Sequence, residues 1–498
     1  MSYLGLDIGT GGCKAVVFNE KGRELASAYR EYPLIQPQPG WAELDSERVM
    51  SECFEVIREV NARVQTDPVV AMSVTSQGEA FTAVDAQGRA LCHAMVSSDS
   101  RAKELTKSWS EEFGAEKIYQ ITGHTPYPMF SLYKLLWLKN NRQEVWNQTR
   151  WFLCFEDLFQ FHTGIRPKIS WSLAGRTMLF NVTHHVWSDE ILSSLALDSS
   201  RLAEPIPSGT VAGVISLEKA RELGFVNEVV VVAGGHDQTC GALGAGVTQP
   251  GMCMYATGTV ECFCPVLERP SFSEDLRRNN LCCYDYTVGG RYTTVAYSLT
   301  GGNILRWMRD TLGQTEIEQA KQRGLDPYTI LLEAIPDEPT SLFVLPYLSA
   351  SGTPYFDTDV PGALLGLRLS TTKGEITRAL LEGVAFEMKL NLMLMEQSGM
   401  KIDTFIASGG GTKNDRWTQL KADVLGKKIV VREISEAGCF GAAMLACSAS
   451  TGVPVTQCVD RATSDKKVFI PNCDKAVAYD RLFEKYKIIY PALKTLYE

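Results

Sequence analysis

Two aspartates stand where an apolar stretch gives way to glycine. Asp7 precedes a Gly-Thr-Gly-Gly turn in "YLGLDIGTGGCKAVVF" (residues 3–18), and Asp237 follows Gly-Gly-His in "VVVVAGGHDQTCGALGAG" (residues 229–246). A carboxylate at a strand end can accept a proton from a hydroxyl group or bind hydrated Mg²⁺. Glycines let a phosphate approach converging backbone N–H groups. The pattern therefore indicates phosphate chemistry, and the alternatives are a plain turn residue for Asp7 and a helix N-cap for Asp237.

Two further glycine turns support this interpretation. "CMYATGTVECFCPV" (residues 253–266) repeats the form of the first turn, which suggests a duplicated core with a nucleotide in the cleft between the halves. In "IASGGGTKNDRWTQLKADVLG" (residues 406–426) a strand meets three glycines and a helix begins near Asn414, whose amide could reach a purine edge. The P-loop pattern G-x-x-x-x-G-K-[ST] is absent from the sequence.

Composition narrows the class of protein. A chain of 498 residues can form two or more domains, and its net charge of −9 argues against a nucleic-acid-binding surface. The sequence has neither a membrane-spanning apolar run nor a secretory signal, and its fourteen cysteines lack zinc-site spacing. We therefore expect a cytoplasmic protein with reduced thiols that does not associate with membranes.

The surrounding elements alternate between strand and helix, as an α/β architecture requires. Strands are expected at residues 4–8 and 15–18. One helix should begin after Asp45 as N-cap, and another should begin at a capping box formed by Thr372 and Glu375 and end at Gly399.

The order of these motifs resembles the FGGY family of carbohydrate kinases, in the actin-like ATPase superfamily. "DIGTGG" and "YATGTVE" resemble the two phosphate loops, and "GGHDQTCGALGAG" resembles the segment with the catalytic aspartate. "SLTGGNILRWMRD" and "SGGGTKNDRW" resemble nucleotide-side segments. "MFSLYKLLWLKNN" (residues 129–141) fits the first family pattern, and "GALLGLRLSTTKGEITRALLEGVAFE" (residues 362–387) fits the second except at Leu380. The resemblance runs from Asp7 to about Gly441.

The resemblance implies a fold and a set of nucleotide contacts. The fold is α/β, with two actin-like (ribonuclease H-like) domains around a nucleotide and substrate cleft. Residues 1–246 would form the sugar-binding domain and 247–498 the nucleotide-binding domain; a return of the last helical segment, near residues 479–496, to the first domain is left open. Asp237 would be the base and Asp7 the Mg²⁺ partner. ATP would contact Thr10, Gly11, Lys14, Thr257, Gly258, Gly302, Gly410, Gly411 and Asn414. For Lys14 the alternative is a solvated strand lysine.

The sugar side is less closely specified. The resemblance implies substrate contacts from Gln77, Glu79, Asp99, Asp237 and Gln238. Three positions depart from the relatives: Gly78 stands where glycerol kinases have arginine, Ser97 where a tryptophan is usual, and Met129 where glycerol kinases have tyrosine. We interpret Trp41 as a packed loop residue rather than a sugar platform, and His236 as a packed histidine.

Taken together, the sequence predicts ATP-dependent phosphorylation of a sugar or polyol, with a ketose such as a pentulose as substrate. Two alternatives are a glycerol- or erythritol-type polyol kinase and a non-kinase actin-like ATPase. A sugar-binding regulator without catalysis is disfavoured because both aspartates are present. A homodimer is left open.

Overall fold

Two six-stranded sheets organise the chain. The computed structural model describes residues 1–434 and 436–497. The first sheet takes all its strands from residues 2–236, and the second takes its strands from residues 251–469. The predicted division at 246/247 falls between these two sets of strands and stays a prediction.

The strands in chain order are β1 (Ser2–Ile8), β2 (Gly12–Asn19), β3 (Glu24–Glu31), β4 (Glu43–Leu44), β5 (Val69–Ser76), β6 (Thr82–Val84), β7 (Ala94–Met95), β8 (Trp151–Leu153), β9 (Lys168–Ser170), β10 (Phe180–Asn181), β11 (Val186–Trp187), β12 (Glu204–Ile206), β13 (Val211–Ile215), β14 (Val229–His236), β15 (Gly251–Thr257), β16 (Glu261–Pro265), β17 (Tyr284–Asp285), β18 (Tyr292–Thr293), β19 (Ala296–Ser298), β20 (Phe343–Leu345), β21 (Ala363–Leu365), β22 (Ile402–Ser408), β23 (Lys428–Arg432) and β24 (Asp465–Phe469).

The α-helices are α1 (Ser46–Arg63), α2 (Lys103–Phe113), α3 (Ala115–Thr122), α4 (Ser131–Asn141), α5 (Gln143–Gln148), α6 (Phe155–His162), α7 (Trp171–Gly175), α8 (Asp189–Leu195), α9 (Leu217–Glu222), α10 (Asp237–Gly244), α11 (Glu274–Arg278), α12 (Asn303–Leu312), α13 (Gln314–Arg323), α14 (Pro327–Glu333), α15 (Lys373–Gln397), α16 (Asp415–Leu425), α17 (Ala437–Thr451), α18 (Val455–Ala462), α19 (Cys473–Tyr486) and α20 (Ile489–Lys494). Short 3₁₀ turns cover Ser199–Arg201 and Gly410–Lys413.

The two sheets share a topology. The first has the order β13-β14-β5-β1-β2-β3, and the second has the order β19-β16-β15-β22-β23-β24. In each sheet a β-hairpin, β1–β2 or β15–β16, continues through its first strand into a parallel pair, β1–β5 or β15–β22. The predicted strand–turn–strand form of both glycine segments is confirmed.

Local sequence signals define the helix ends. The Asp45 carboxylate accepts hydrogen bonds from two N–H groups of the first turn of α1. Thr372 and Glu375 form the predicted capping box of α15, which ends just before Gly399. No helix in the described ranges is long and apolar enough to span a bilayer.

Helix α17 comes from the second half of the chain but packs on the first sheet. Its small residues allow very close approach: a Cβ added at Gly5 of β1 would lie 1.8 Å from the Cys439 carbonyl oxygen, and one at Gly441 would lie 2.0 Å from the Cys240 carbonyl oxygen of α10. Helix α17 therefore connects the second half of the chain to the first sheet and to α10.

The last helices take a different course. Tyr479 and Tyr486 of α19 are buried in a core formed with α15 and α16. The Tyr479 hydroxyl donates to the Glu382 carboxylate at 2.8 Å, and the Tyr486 hydroxyl donates to Glu387 at 2.5 Å. The segment whose return was left open thus packs in the second half, and α17 makes the contact with the first sheet instead.

Candidate active site

Three neighbouring parallel strands bring the first candidate residues together. Strand β5 lies between β1 and β14, and Ser76 at its end pairs with both Ile8 and His236. The carboxyl ends of parallel strands form a common edge, where α/β proteins place their ligand sites. The segments that carry Asp7, Gln77 to Glu79 and Asp237 therefore meet at one edge of the first sheet.

Asp237 opens α10 at this edge, and its side chain is about one third exposed. Its pKa is raised to about 7, because the surrounding protein limits solvation and because the Asp7 and Glu79 carboxylates lie nearby. Arg176 opposes this shift. A carboxylate with a pKa near neutrality is suited to accept a proton and release it again. Gln238 follows it, half-buried.

His236, the residue before Asp237, contacts the Asp237 carboxylate. Its Nε2 lies 3.1 Å from Asp237 Oδ1, and its Nδ1 lies 2.9 Å from the Tyr284 hydroxyl. Burial, reinforced by Arg176, lowers the pKa of His236 well below its usual value, so the ring is neutral. A neutral ring facing an ionised carboxylate donates a hydrogen bond from Nε2 and accepts one from the Tyr284 hydroxyl at Nδ1. His236 is packed, as predicted, and it also orients Asp237.

Asp7 carries negative charge that its neighbours do not neutralise. Burial and the nearby Glu436 raise its pKa to about 6, while Lys14 lowers it. The Lys14 ammonium is 2.7 Å from Glu436 and so is paired elsewhere. A Cβ added at Gly438 would lie only 2.8 Å from Asp7 Oδ2, so glycine keeps this carboxylate accessible.

This environment fits the predicted magnesium partner. Mg²⁺ in kinase sites typically takes one or two carboxylates and fills its other positions with water and substrate phosphate. Asp7 could supply one such carboxylate. Within residues 1–434 and 436–497 no group of three or more His, Cys, Asp or Glu side chains forms a complete metal cluster.

The first glycine turn is tied to the predicted sugar side. The Thr10 hydroxyl donates to Gln77 Oε1 at 2.9 Å, and Gln77 Nε2 donates to the Gly9 carbonyl at 3.2 Å. A Cβ added at Gly11 would meet nothing within 4 Å, so this position faces open space. Gln77 is only 4% exposed, and it therefore stabilises the turn from the end of β5.

The second and third glycine turns come together in the other half. A Cβ added at Gly411 would lie 3.0 Å from the Thr257 side chain, and the Thr257 hydroxyl donates to the Ser408 carbonyl at 2.9 Å. The Gly302 N–H donates to the Gly258 carbonyl at 2.8 Å. Segments that are far apart in sequence thus form one glycine-lined wall.

Asn414 follows this wall as the N-cap of α16, and its side-chain oxygen accepts the Trp417 N–H at 3.0 Å. This capping bond involves the oxygen, so the amide nitrogen can serve the predicted purine contact. Beside it, next to Gly410, a cavity of about 970 Å³ is lined by the turn residues Gly409, Thr412 and Lys413 and, ahead of α17, by Ile434 and Glu436. The size of the cavity is suited to a nucleotide.

Glu79 is buried and adopts a positive φ of 64°. Arg176 Nε donates to Glu79 Oε1 at 2.6 Å, while Ser131 and Lys134 donate to the Glu79 carbonyl. We did not single out Arg176 from the sequence. The signal was one cationic side chain within the otherwise small and apolar run "SLAGRTMLF" (residues 172–180).

Asp99 has little capacity left for a substrate. Its carboxylate accepts hydrogen bonds from the Ala42 N–H at 2.7 Å and from Arg101 Nε and Nη2, and it is 2% exposed. The Arg101 guanidinium lies 3.7 Å from the centre of the Trp41 ring, which packs edge-on against Trp137. Trp41 is therefore a packed loop residue, as interpreted, and Asp99 anchors that loop.

Two of the three departures from the relatives have a visible consequence. A Cβ added at Gly78 would lie 3.0 Å from the His236 ring and 3.3 Å from Arg176 Cβ, so an arginine there would displace them. Met129 lines a small cavity of about 30 Å³ beside Arg176. Ser97 is half-buried.

Comparison with known proteins agrees with this geometry. Residues 2–244 match the model for the FGGY family of carbohydrate kinases, N-terminal domain, and residues 253–450 match its C-terminal domain. A xylulose kinase of Bacillus subtilis is 27% identical over 100% of this chain and 98% of its own length. A glycerol kinase of Gloeobacter violaceus is 32% identical over 89% of this chain and 87% of its own length. The crystal structure of a gluconate kinase from Lactobacillus acidophilus superimposes with a TM-score of 0.91 at 25% identity, covering 100% and 99% of the two chains.

The two family models together cover most of the chain, and the solved relative confirms the α/β fold with two actin-like domains. The chain therefore belongs to the FGGY family of carbohydrate kinases, enzymes that use ATP as phosphate donor.

Proposed function

We propose that this kinase phosphorylates a hydroxyl group of a ketose, with a pentulose as the first choice, and that Asp237 is the general base. The observation that carries the proposal is the position of Asp237 at the end of β14, close to Asp7, with a pKa raised to about 7. A base with this pKa can take a proton from a sugar hydroxyl as phosphate is transferred.

In the proposed reaction, the sugar hydroxyl oxygen attacks the γ-phosphorus of ATP. The new O–P bond forms as the bond between the γ-phosphorus and the β,γ-bridging oxygen breaks, which releases ADP. Asp237 accepts the hydroxyl proton, and His236 holds its carboxylate in line through the 3.1 Å contact. The turns around Thr10 and Thr257 would position the phosphates through their backbone N–H groups.

Asp7 is proposed as the magnesium partner and Lys14 as a phosphate contact. Bound Mg²⁺ would neutralise charge on the phosphates. Lys14 pairs with Glu436, the N-cap of α17, at 2.7 Å, so a phosphate contact would share its ammonium group with Glu436 or replace that pair. Gly258, Gly302, Gly410, Gly411 and Asn414 would border the remaining phosphates and the adenosine.

The sugar would lie between the first sheet and the Arg176 side of the cleft, with Glu79, Gln77 and Gln238 nearest to it. We propose that Asp99 acts on the sugar through the loop it anchors, since its carboxylate is already fully hydrogen-bonded. Because Ser97 and Met129 stand where relatives have bulkier aromatic side chains, we expect activity on D-xylulose and on glycerol to be modest compared with that on the best substrate.

The test is a panel of ketopentoses, ketohexoses, erythritol, glycerol and gluconate, with ADP release and sugar phosphate both measured. We expect a ketopentose to give the highest kcat/KM. A panel in which no compound raises ADP release above the rate with ATP alone would refute the proposed kinase activity.

A polyol kinase is the second candidate. It is favoured by Glu79 in the sequence Gln-Gly-Glu and by the 32% identity to a glycerol kinase. The same panel separates the two, because a polyol kinase would prefer erythritol or glycerol over every ketose.

A further inference from the structure

A small cavity lies beside His124 and Arg176, separated from Asp237 by Tyr284 and His236. Its walls come from both halves of the chain: Met129, Phe130 and Arg176 from the first, and Val295, Tyr297 and Phe356 from the second. A volume of about 30 Å³ is enough for roughly two water molecules. It can therefore receive one end of a small molecule, although not a whole sugar.

One polar side chain in this cavity has unused hydrogen-bonding capacity. His124 is 1% exposed and lines the cavity, and neither of its ring nitrogens makes a well-aligned hydrogen bond to the described residues, although the ring lies close to the Gly175 backbone. Leaving a buried polar group unpaired is costly, so such groups are uncommon in folded proteins. The position of His124 in a cavity suggests that a ligand supplies the partner.

The cavity is connected to the catalytic edge by direct contacts. The His124 ring centre lies 5.4 Å from that of Tyr284, and the Tyr284 hydroxyl contacts His236, which contacts Asp237. The cavity also borders the proposed sugar contacts, because Arg176 lines it and donates to Glu79. A substrate whose reacting hydroxyl faces Asp237 and which contacts Glu79 would place its far end beside this cavity.

The charges around the cavity favour an uncharged group. Burial, Arg176 and His236 hold the pKa of His124 well below its usual value, with only a small opposing effect from the Gly175 backbone, so the ring is neutral. The Arg176 guanidinium is already paired with Glu79 and packs over the Phe130 ring at 5.1 Å. A neutral imidazole offers one donor and one acceptor, which matches a hydroxyl group. A carboxylate entering this cavity would find no unpaired cation.

We propose that His124 is a specificity-determining residue that hydrogen-bonds the terminal hydroxyl of the sugar farthest from the phosphorylated one, and that it selects uncharged ketoses or polyols over aldonates. This inference rests on the proposed sugar kinase function and names the part of the substrate that the cavity recognises.

The test pairs the best substrate of the panel with its analogue that lacks this distal hydroxyl, identified after product analysis. The wild-type enzyme should prefer the hydroxylated compound by about 10-fold in kcat/KM, as expected for one or two neutral hydrogen bonds. In His124→Leu that ratio should fall close to 1, mainly because the hydroxylated compound becomes a poorer substrate. His124→Asn, which keeps a donor and an acceptor, should recover part of the preference.

His162→Leu provides the matched control, because His162 is a partly exposed histidine at the end of α6, outside this cavity. Its ratio should equal that of the wild type. Thermal unfolding of every variant identifies misfolding, and His124→Leu should be as stable as the wild type or more stable, since it removes an unpaired polar group.

The outcomes distinguish the two levels of the proposal. If the wild type phosphorylates no sugar, the proposed function fails and this inference fails with it. If it phosphorylates a ketose or polyol best but His124→Leu keeps the wild-type ratio, only the assignment of His124 is overturned. If gluconate is the best substrate, both the proposed ketose specificity and the assignment of His124 are overturned.

Discussion

The hairpins β1–β2 and β15–β16 have the same form, but the acidic residue in each has a different environment: one carboxylate lacks a cationic partner and the other is paired. Asp7 lies near the end of β1 and Glu261 begins β16, each beside a glycine turn. Asp7 remains without a dedicated cation, and its pKa is raised to about 6. Glu261, by contrast, is fully paired. Sequence form alone therefore does not distinguish an acid available for chemistry from one that stabilises the fold.

The pairing of Glu261 is complete. Lys421 of α16 lies 2.5 Å from Glu261 Oε1, the Tyr255 hydroxyl donates to the other carboxylate oxygen, and both charged side chains are at most 2% exposed. Lys421 also lies 4.1 Å from the Trp417 ring centre. This closed cluster joins the second sheet to α16, whereas the open charge of Asp7 faces the first glycine turn.

Among Asp7 and Asp237, the two carboxylates proposed to take part in catalysis, the largest expected effect comes from Asp237→Asn. We expect kcat to fall by about 10²–10⁴-fold, because the amide cannot accept the hydroxyl proton. The affinity for a non-hydrolysable ATP analogue, measured by calorimetry, should change little. Turnover within a few-fold of wild type would remove Asp237 from its role as base.

The paired cluster of Glu261, Lys421 and Tyr255 should instead contribute to the stability of the fold. Lys421→Met removes one partner of a buried pair and leaves Glu261 charged and unpaired, so we expect the free energy of unfolding to fall by about 3–5 kcal/mol. Urea unfolding measures this loss. The double variant with Glu261→Gln should recover part of it, and a loss below about 1 kcal/mol would contradict the contrast between the two hairpins.

Asp7→Asn should have the reverse profile. We expect Mg²⁺-dependent turnover to fall by about 10-fold or more, since a neutral amide is a weaker magnesium ligand than a carboxylate. The melting temperature should stay constant or rise, because an unpaired charge is removed. Sugar affinity measured without nucleotide should barely change, and its collapse would mean that Asp7 belongs to the sugar side.

The smallest effect is a pH dependence of stability. Asp7 and Asp237 have folded-state pKa values of about 6 and about 7, both above the usual 3.8, so the folded state retains protons that the unfolded state releases. Their contribution to the free energy of unfolding should therefore decrease as the pH rises from about 4 to 7.

Urea titrations at several pH values measure that slope. The buried carboxyls of Glu156 and Glu387 also have raised pKa values of about 7, so the informative quantity is the difference between wild type and the Asp7→Asn/Asp237→Asn double variant. A double variant with an unchanged slope would show that the two acids are not perturbed in the folded state.

The sequence by itself determined the local elements and the motif order. The valine run before Asp237, the glycine turns, the N-cap at Asp45 and the capping box at Thr372 act over a few residues, where chain geometry and hydrogen bonding are local. The ordered motifs were enough to predict the α/β fold and the kinase family.

Only the tertiary structure decided which polar side chains remain free. The Asp99 carboxylate accepts hydrogen bonds from Arg101 and the Ala42 N–H. Glu79 is paired with Arg176, which lies 97 residues further along the chain. Helix α17 likewise packs on strands of the first sheet that lie far from it in the sequence. The physical reason is that desolvation and pairing depend on which elements meet across the fold, and spacing along the chain does not specify those meetings.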